Sequence, residues 1–141
     1  MGINQLQEEL KVDLAIAIQD CTAGVTGAVY YSMAEYRKAW ILVVADSGAG
    51  ETLTVTPRNA TSAAGAGAAN FTDTFTVIVT NQISYGEIDA ADMPDGSEFL
   101  GVNLNSAGDT VNACAIIIRA KSRYLPVDNS DDVDANQIVD E

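Results

Sequence analysis

Short runs of alternating apolar and polar residues fill most of this chain, and they predict strands. The densest lies within Val111–Pro126, VNACAIIIRAKSRYLP. Alternation puts Ala113, Ala115 and Ile117 on one face and Cys114, Ile116 and Ile118 on the other. Both faces are apolar, which predicts a strand buried on both sides. Arg119, Lys121 and Arg123 then recur at period two. As strand residues they share a face that must meet water or acidic groups, either the acidic turn or tail of the same chain or an acidic partner subunit. Pro126 stops any ladder beyond them.

The same reading extends along the rest of the chain. Ile3, Leu6 and Leu10 fall at helical spacing, with Gln5, Gln7, Glu8 and Glu9 opposite, so residues 1–11 predict a short amphipathic helix or arm. Val12–Ile18 predicts a first strand. Gly24 and Gly27 bracket a turn before a short strand, Ala28–Tyr31. Ser32–Lys38 predicts a helical turn or loop, with Ser32 and Glu35 at capping-box spacing. Ala39–Ala45, AWILVVA, is a second wholly apolar strand. Glu51–Thr56 points Leu53 and Val55 inward and Thr52, Thr54 and Thr56 outward, with Pro57 as its expected end. Asn59–Asn70 is rich in small residues and predicts a long surface loop. Thr74–Thr80 and Ser84–Ile88 predict strands, and Asp89–Glu98 an acidic turn. Phe99–Leu104 is expected to pair with Val111–Ile118 as a hairpin across Asn105–Asp109. From Val127 the chain holds six carboxylates, no basic residue, and only Val127, Val133, Ile138 and Val139 as large apolar anchors. Such a tail has no core of its own.

Seven or eight short strands between Gly, Asn and Asp turns predict an all-β fold. It is a single antiparallel β-sandwich, jelly-roll-like or barrel, over residues 12–126, with the arm before it and an acidic tail over 127–141.

Composition narrows the function. The 141 residues give room for one core. Twenty acidic residues against seven basic ones leave a charge of −13, which repels nucleic acid and favours basic partners. The chain has no His, and so lacks the commonest general base and metal ligand. The Ser nearest a Lys in sequence is Ser122, beside Lys121, where strand neighbours point apart. An enzyme is not expected. Glu87, Asp89, Asp92, Asp95 and Glu98 have the chemistry for Ca²⁺, but a solvated acidic loop is the plainer reading. Asp132, Asp134 and Asn136 open like an EF-hand loop, yet Gln137 stands where Gly is needed. GAGAAN at Gly65–Asn70 lacks the Lys of a phosphate loop. No metal or cofactor is therefore expected. Cys21 and Cys114 leave their pairing open, and Trp40, in an apolar strand, reads as core. The N-terminus is polar and acidic, and no apolar run reaches membrane-span length, which predicts a chain made in a cytoplasm.

Three stretches together resemble a family of small virion proteins of tailed bacteriophages. They are VYYSMAEYRKAWILVVADSGAG at Val29–Gly50, LTVTPRNATSAAGAGAANF at Leu53–Phe71, and Gly86–Pro126 with its Asp-rich turn and Arg-Tyr-x-Pro ending. The tail after Pro126 lies outside the pattern. The resemblance implies a head decoration, or cement, protein on the virion surface that is a homo-oligomer and binds the major capsid protein and copies of itself. The expected contacts are Ile3, Leu6 and Leu10 of the arm, Arg119, Lys121, Arg123 and Tyr124 of the basic edge, and Val133 and Ile138 of the tail. The alternatives are a tail or connector component of the virion, or a carbohydrate-binding or adhesin module that uses the acidic turn.

Overall fold

The computed structural model describes residues 10–46, 51–79, 82–106, 108, 110–120 and 136–138. They form an antiparallel β-sandwich. The larger sheet contains β1 (Leu10–Asp20), β10 (Asn112–Ala120), β4 (Lys38–Asp46), β8 (Gln82–Asp89) and β11 (Asn136–Ile138), in that order. The smaller sheet is built on β9 (Phe99–Asn105) and β5 (Glu51–Ala60). Its short members are β2 (Val25–Thr26), β3 (Tyr31–Ser32), β6 (Ala69–Asn70) and β7 (Phe75–Val79). Among the described residues the helical content is one 3₁₀ turn, Ala90–Asp92, capped by Asp89. Of the expected arm, residues 1–11, the first nine lie outside the described residues, and Leu10 and Lys11 are not helix but the start of β1.

The core sits between the sheets. The larger sheet contributes small and β-branched residues: Ala39, Ile41, Val43 and Ala45 of β4, and Ala113, Ala115 and Ile117 of β10. The smaller sheet answers with Leu53, Val55, Leu100, Val102 and Leu104, with Phe71 and Phe75 filling one side. Alanines facing leucines let the layers close at native density. Gly86 belongs to this fit, because a Cβ there would lie 2.6 Å from the Phe75 ring.

Several local expectations change. Phe99–Leu104 and Val111–Ile118 do not form a hairpin. β9 pairs with β5 in one sheet, while β10 lies between β1 and β4 in the other. Each strand buries one apolar face, and facing them across the sandwich buries both at once. β5 does not stop at Pro57 but runs on to Ala60. The Pro57 carbonyl accepts from the Phe71 N–H at 3.0 Å, on the side between the partners of β7 and those of β6. The missing donor therefore falls in a gap in the pairing and leaves the β9 ladder intact. Of Ser32–Lys38, expected as a helical turn or loop, Ser32 ends β3 and Lys38 opens β4, and between them runs a non-helical turn in which the Ser32 hydroxyl accepts from the Ala34 N–H.

β1 carries register shifts between Leu14 and Ile16 and between Ile16 and Gln19. Strict alternation would put Leu14, Ile16 and Ile18 on one face. The bulges instead turn Ile16 into the core, at 2% exposure, and leave Leu14 and Ile18 at 60% and 72%.

The small-residue loop after β5 is pinned. The Tyr30 N–H donates to the Ala63 carbonyl, and the Thr61 N–H to that of Ala66. Tyr30 lies buried against Gly101, where a Cβ would come within 2.5 Å of its ring. Gly101→Ala is therefore expected to destabilise the fold by about 1–3 kcal/mol. In thermal melts its effect should shrink when combined with Tyr30→Ala, which removes the obstructing ring.

Candidate functional site

The two outer faces of the sandwich differ in chemistry. The smaller sheet presents Thr52, Thr54, Thr56 and Arg58 of β5, with Asn103 and Asn105 of β9 alongside. This face is polar. The outer face of the larger sheet is apolar across four strands. One row across it runs Leu14, Ile116, Leu42 and Tyr85. A second runs Val12, Ile118 and Trp40 to Glu87, and a third joins Cys114, Val44 and Ile83. Val12 is 64% exposed and Ile83 62%. The central members Trp40, Leu42, Ile116 and Ile118 are half-buried.

At about 4.8 Å per strand and 6.8 Å per row, this face covers roughly 400 Å². That lies within the range of the largest apolar patches on monomers, which are often functional. The polar groups at its border are already satisfied. Glu87 forms an ion pair with Lys38 and accepts from the Trp40 indole N–H at 2.9 Å. Trp40 is thus not a core residue, as its apolar strand suggested. It is part of the exposed face, and its one polar atom is neutralised.

Arg119 also departs from expectation. Instead of forming an outward basic ridge with Lys121 and Arg123, it points inward at the end of the sandwich and is 5% exposed. Its Nε and Nη2 donate to Asp13 Oδ2 at 3.0 and 2.6 Å, and Nη1 donates to the Ser32 carbonyl at 2.6 Å. Tyr36 and Tyr31 approach the guanidinium, with ring centroids 4.6 and 5.5 Å away. Burial, then the Asp13 charge, push the Tyr31 hydroxyl above its ordinary pKa, while Arg119 opposes them. The protonated hydroxyl donates to the Leu14 carbonyl at 3.0 Å. The cluster ties β1, β3 and β10 together and is a structural clasp.

The remaining expected contacts separate. Leu10 opens β1 and pairs with Ala120. Ile138 lies in β11, whose backbone pairs with β8. Ile3, Leu6, Lys121, Arg123, Tyr124 and Val133 lie outside the described residues. The apolar outer face was missed. The signal for it was present in β4 and β10, which are apolar on both faces.

Little in the described residues suggests catalysis. Cys21 is fully buried, and burial raises its thiol pKa, so it is a poor nucleophile. Cys114 stands on the outer face, and the two thiols are free. Among the described residues no three Cys, Asp or Glu side chains converge as metal ligands. An open depression of about 510 Å³ is bordered by Glu35, Tyr36, Arg37 and Asp89 on the surface turns.

No family model matches this chain, and no curated protein does. Among solved structures it is similar to a chain from Bacillus endospore appendages, described as a novel family of disulfide-linked pili. The TM-score is 0.46 at 12% identity, over 79% of this chain and 88% of the other.

Proposed function

We propose that this protein is a structural virion subunit, a head decoration protein that docks on a phage shell through the outer face of its larger sheet. The observation that carries this reading is the apolar surface spanning β1, β10, β4 and β8, opposite a polar Thr/Asn face. A domain that met water on both sides would have no use for that asymmetry. The family resemblance of Val29–Gly50, Leu53–Phe71 and Gly86–Pro126 supplies the shell as the partner. An overall charge of −13 keeps free subunits apart and soluble until a complementary surface offers apolar contacts.

The test adds purified protein to shells assembled from the major capsid protein without it. The expected result is saturable binding at a fixed stoichiometry and a higher temperature of shell disruption. Shells that take up no protein would refute the proposal.

A further inference from the structure

The far edge of the larger sheet carries a feature that docking on a shell does not use. β11, only three residues long, pairs in parallel with Tyr85, Gly86 and Glu87 of β8. Since β10 is antiparallel to β4, and β4 to β8, β11 is also parallel to β10, the strand that precedes it in the chain. Parallel strands of one sheet need a crossover over one of its faces. The inner face here is filled by the smaller sheet.

The fifteen residues between β10 and β11 allow another arrangement. They can span about 50 Å when extended. The lateral distance from β10 to β11 within one sheet is only about 15 Å, while a domain of this size is roughly 35–40 Å across. The link is long enough to reach the β8 edge of an adjacent subunit. A parallel pair has no connecting turn to fix its origin, and a three-residue ladder is weak enough to open and exchange.

We propose that β8 is a strand-acceptor edge, and that in the assembled protein it receives Asn136–Ile138 from a second copy of this chain. This rests on the docking reading above and deepens it. Each subunit would hold the shell by its apolar face and its neighbour by its last strand. Exchange of an identical element between copies costs little, because the contacts made are those given up. Crowding on a shell raises the effective concentration that favours it.

The test uses the full chain with Tyr85→Cys and Asn136→Cys, which are opposed in the β8–β11 register. Cys114→Ala removes the competing thiol on the outer face. The protein is oxidised at subunit concentrations from about 1 μM to 1 mM and separated under denaturing, non-reducing conditions. The expected result is a series of covalent dimers and longer chains whose share rises with concentration. Cross-linked monomers at every concentration would show that the strand stays on its own sheet, and would overturn the proposal. Absence of any cross-link would overturn it as well. In an otherwise native chain, Asn136→Pro with Gln137→Pro should weaken self-association by light scattering about tenfold, since neighbouring N–H groups of a strand point to opposite sides and one of the two faces β8. Unchanged association would count against the exchange. Shell binding by the unmodified protein is measured separately. Binding without cross-linked chains rejects only the exchange, whereas loss of binding rejects the docking reading.

Discussion

Replacing Arg119 with alanine is expected to destabilise the fold by about 3–5 kcal/mol, because it leaves Asp13 as an unpaired charge in a closed site. The side chains of Arg119 and Asp13 are 6% and 14% exposed, so water cannot replace the lost partner in place. The substitution also frees the Ser32 carbonyl and removes the cation between Tyr31 and Tyr36. For a domain of this length the melting temperature should fall by about 10 °C or more. Arg119→Lys should fall in between, because an ammonium keeps the charge but not the planar fork that reaches Asp13 and Ser32 together. The discriminating variant is the double substitution Arg119→Met with Asp13→Leu. Removing both charges removes the desolvation penalty with the attraction, so the double variant should melt above Arg119→Ala. An Arg119→Ala protein that melts within a degree or two of the parent would show that the clasp contributes nothing.

The clasp shows what the sequence could and could not say. Arg119, Lys121 and Arg123 share one face by period, and the requirement that this face meet water or acidic groups holds for Arg119. Its acid is Asp13, more than a hundred positions away in the chain. No local pattern names such a partner, because register between distant strands is set by packing. The same limit explains the false hairpin. Phe99–Leu104 and Val111–Ile118 are near in sequence and apolar, the signature of local pairing, but two strands that each bury a face are also satisfied by facing each other across a sandwich. The all-β class was legible because it needs only alternation and turn residues. The bulges of β1 were not, since nothing in LAIAI marks the point where Ile16 turns inward.

The most informative error concerns the apolar faces themselves. In β10 both faces are apolar, a pattern that predicts burial on both sides, and β4 is wholly apolar as well. Burial of that kind requires a layer on each side of the sheet. The described chain forms two layers, and both are used to make one core. Among the described residues no second layer lies on that outer apolar face, and the proposed docking gives it a use.

Adjacent residues of one strand should separate these roles. Ile117 is fully buried between the sheets, and Ile116, its neighbour, lies on the outer face between Leu14 and Leu42. Ile117→Ser removes most of a core side chain and buries a hydroxyl, so a loss of about 3–5 kcal/mol and a steep fall in melting temperature are expected. Ile116→Ser removes a similar side chain from a face that no layer of the described fold covers. Its effect on the isolated protein should stay near 1 kcal/mol or less. Its effect on assembly should be the larger one. Placing a hydroxyl at the centre of the patch, with Ile83→Ser at its rim, should weaken shell binding by about 10- to 100-fold, in the manner of central interface residues. Thermal melts of the free proteins and binding curves on shells measure the two effects independently. If Ile116→Ser unfolds the isolated chain as severely as Ile117→Ser, the outer face is already covered within the fold and cannot be where a partner docks. If neither outer-face change alters binding, the partner sits elsewhere and the asymmetry between the two faces needs another cause.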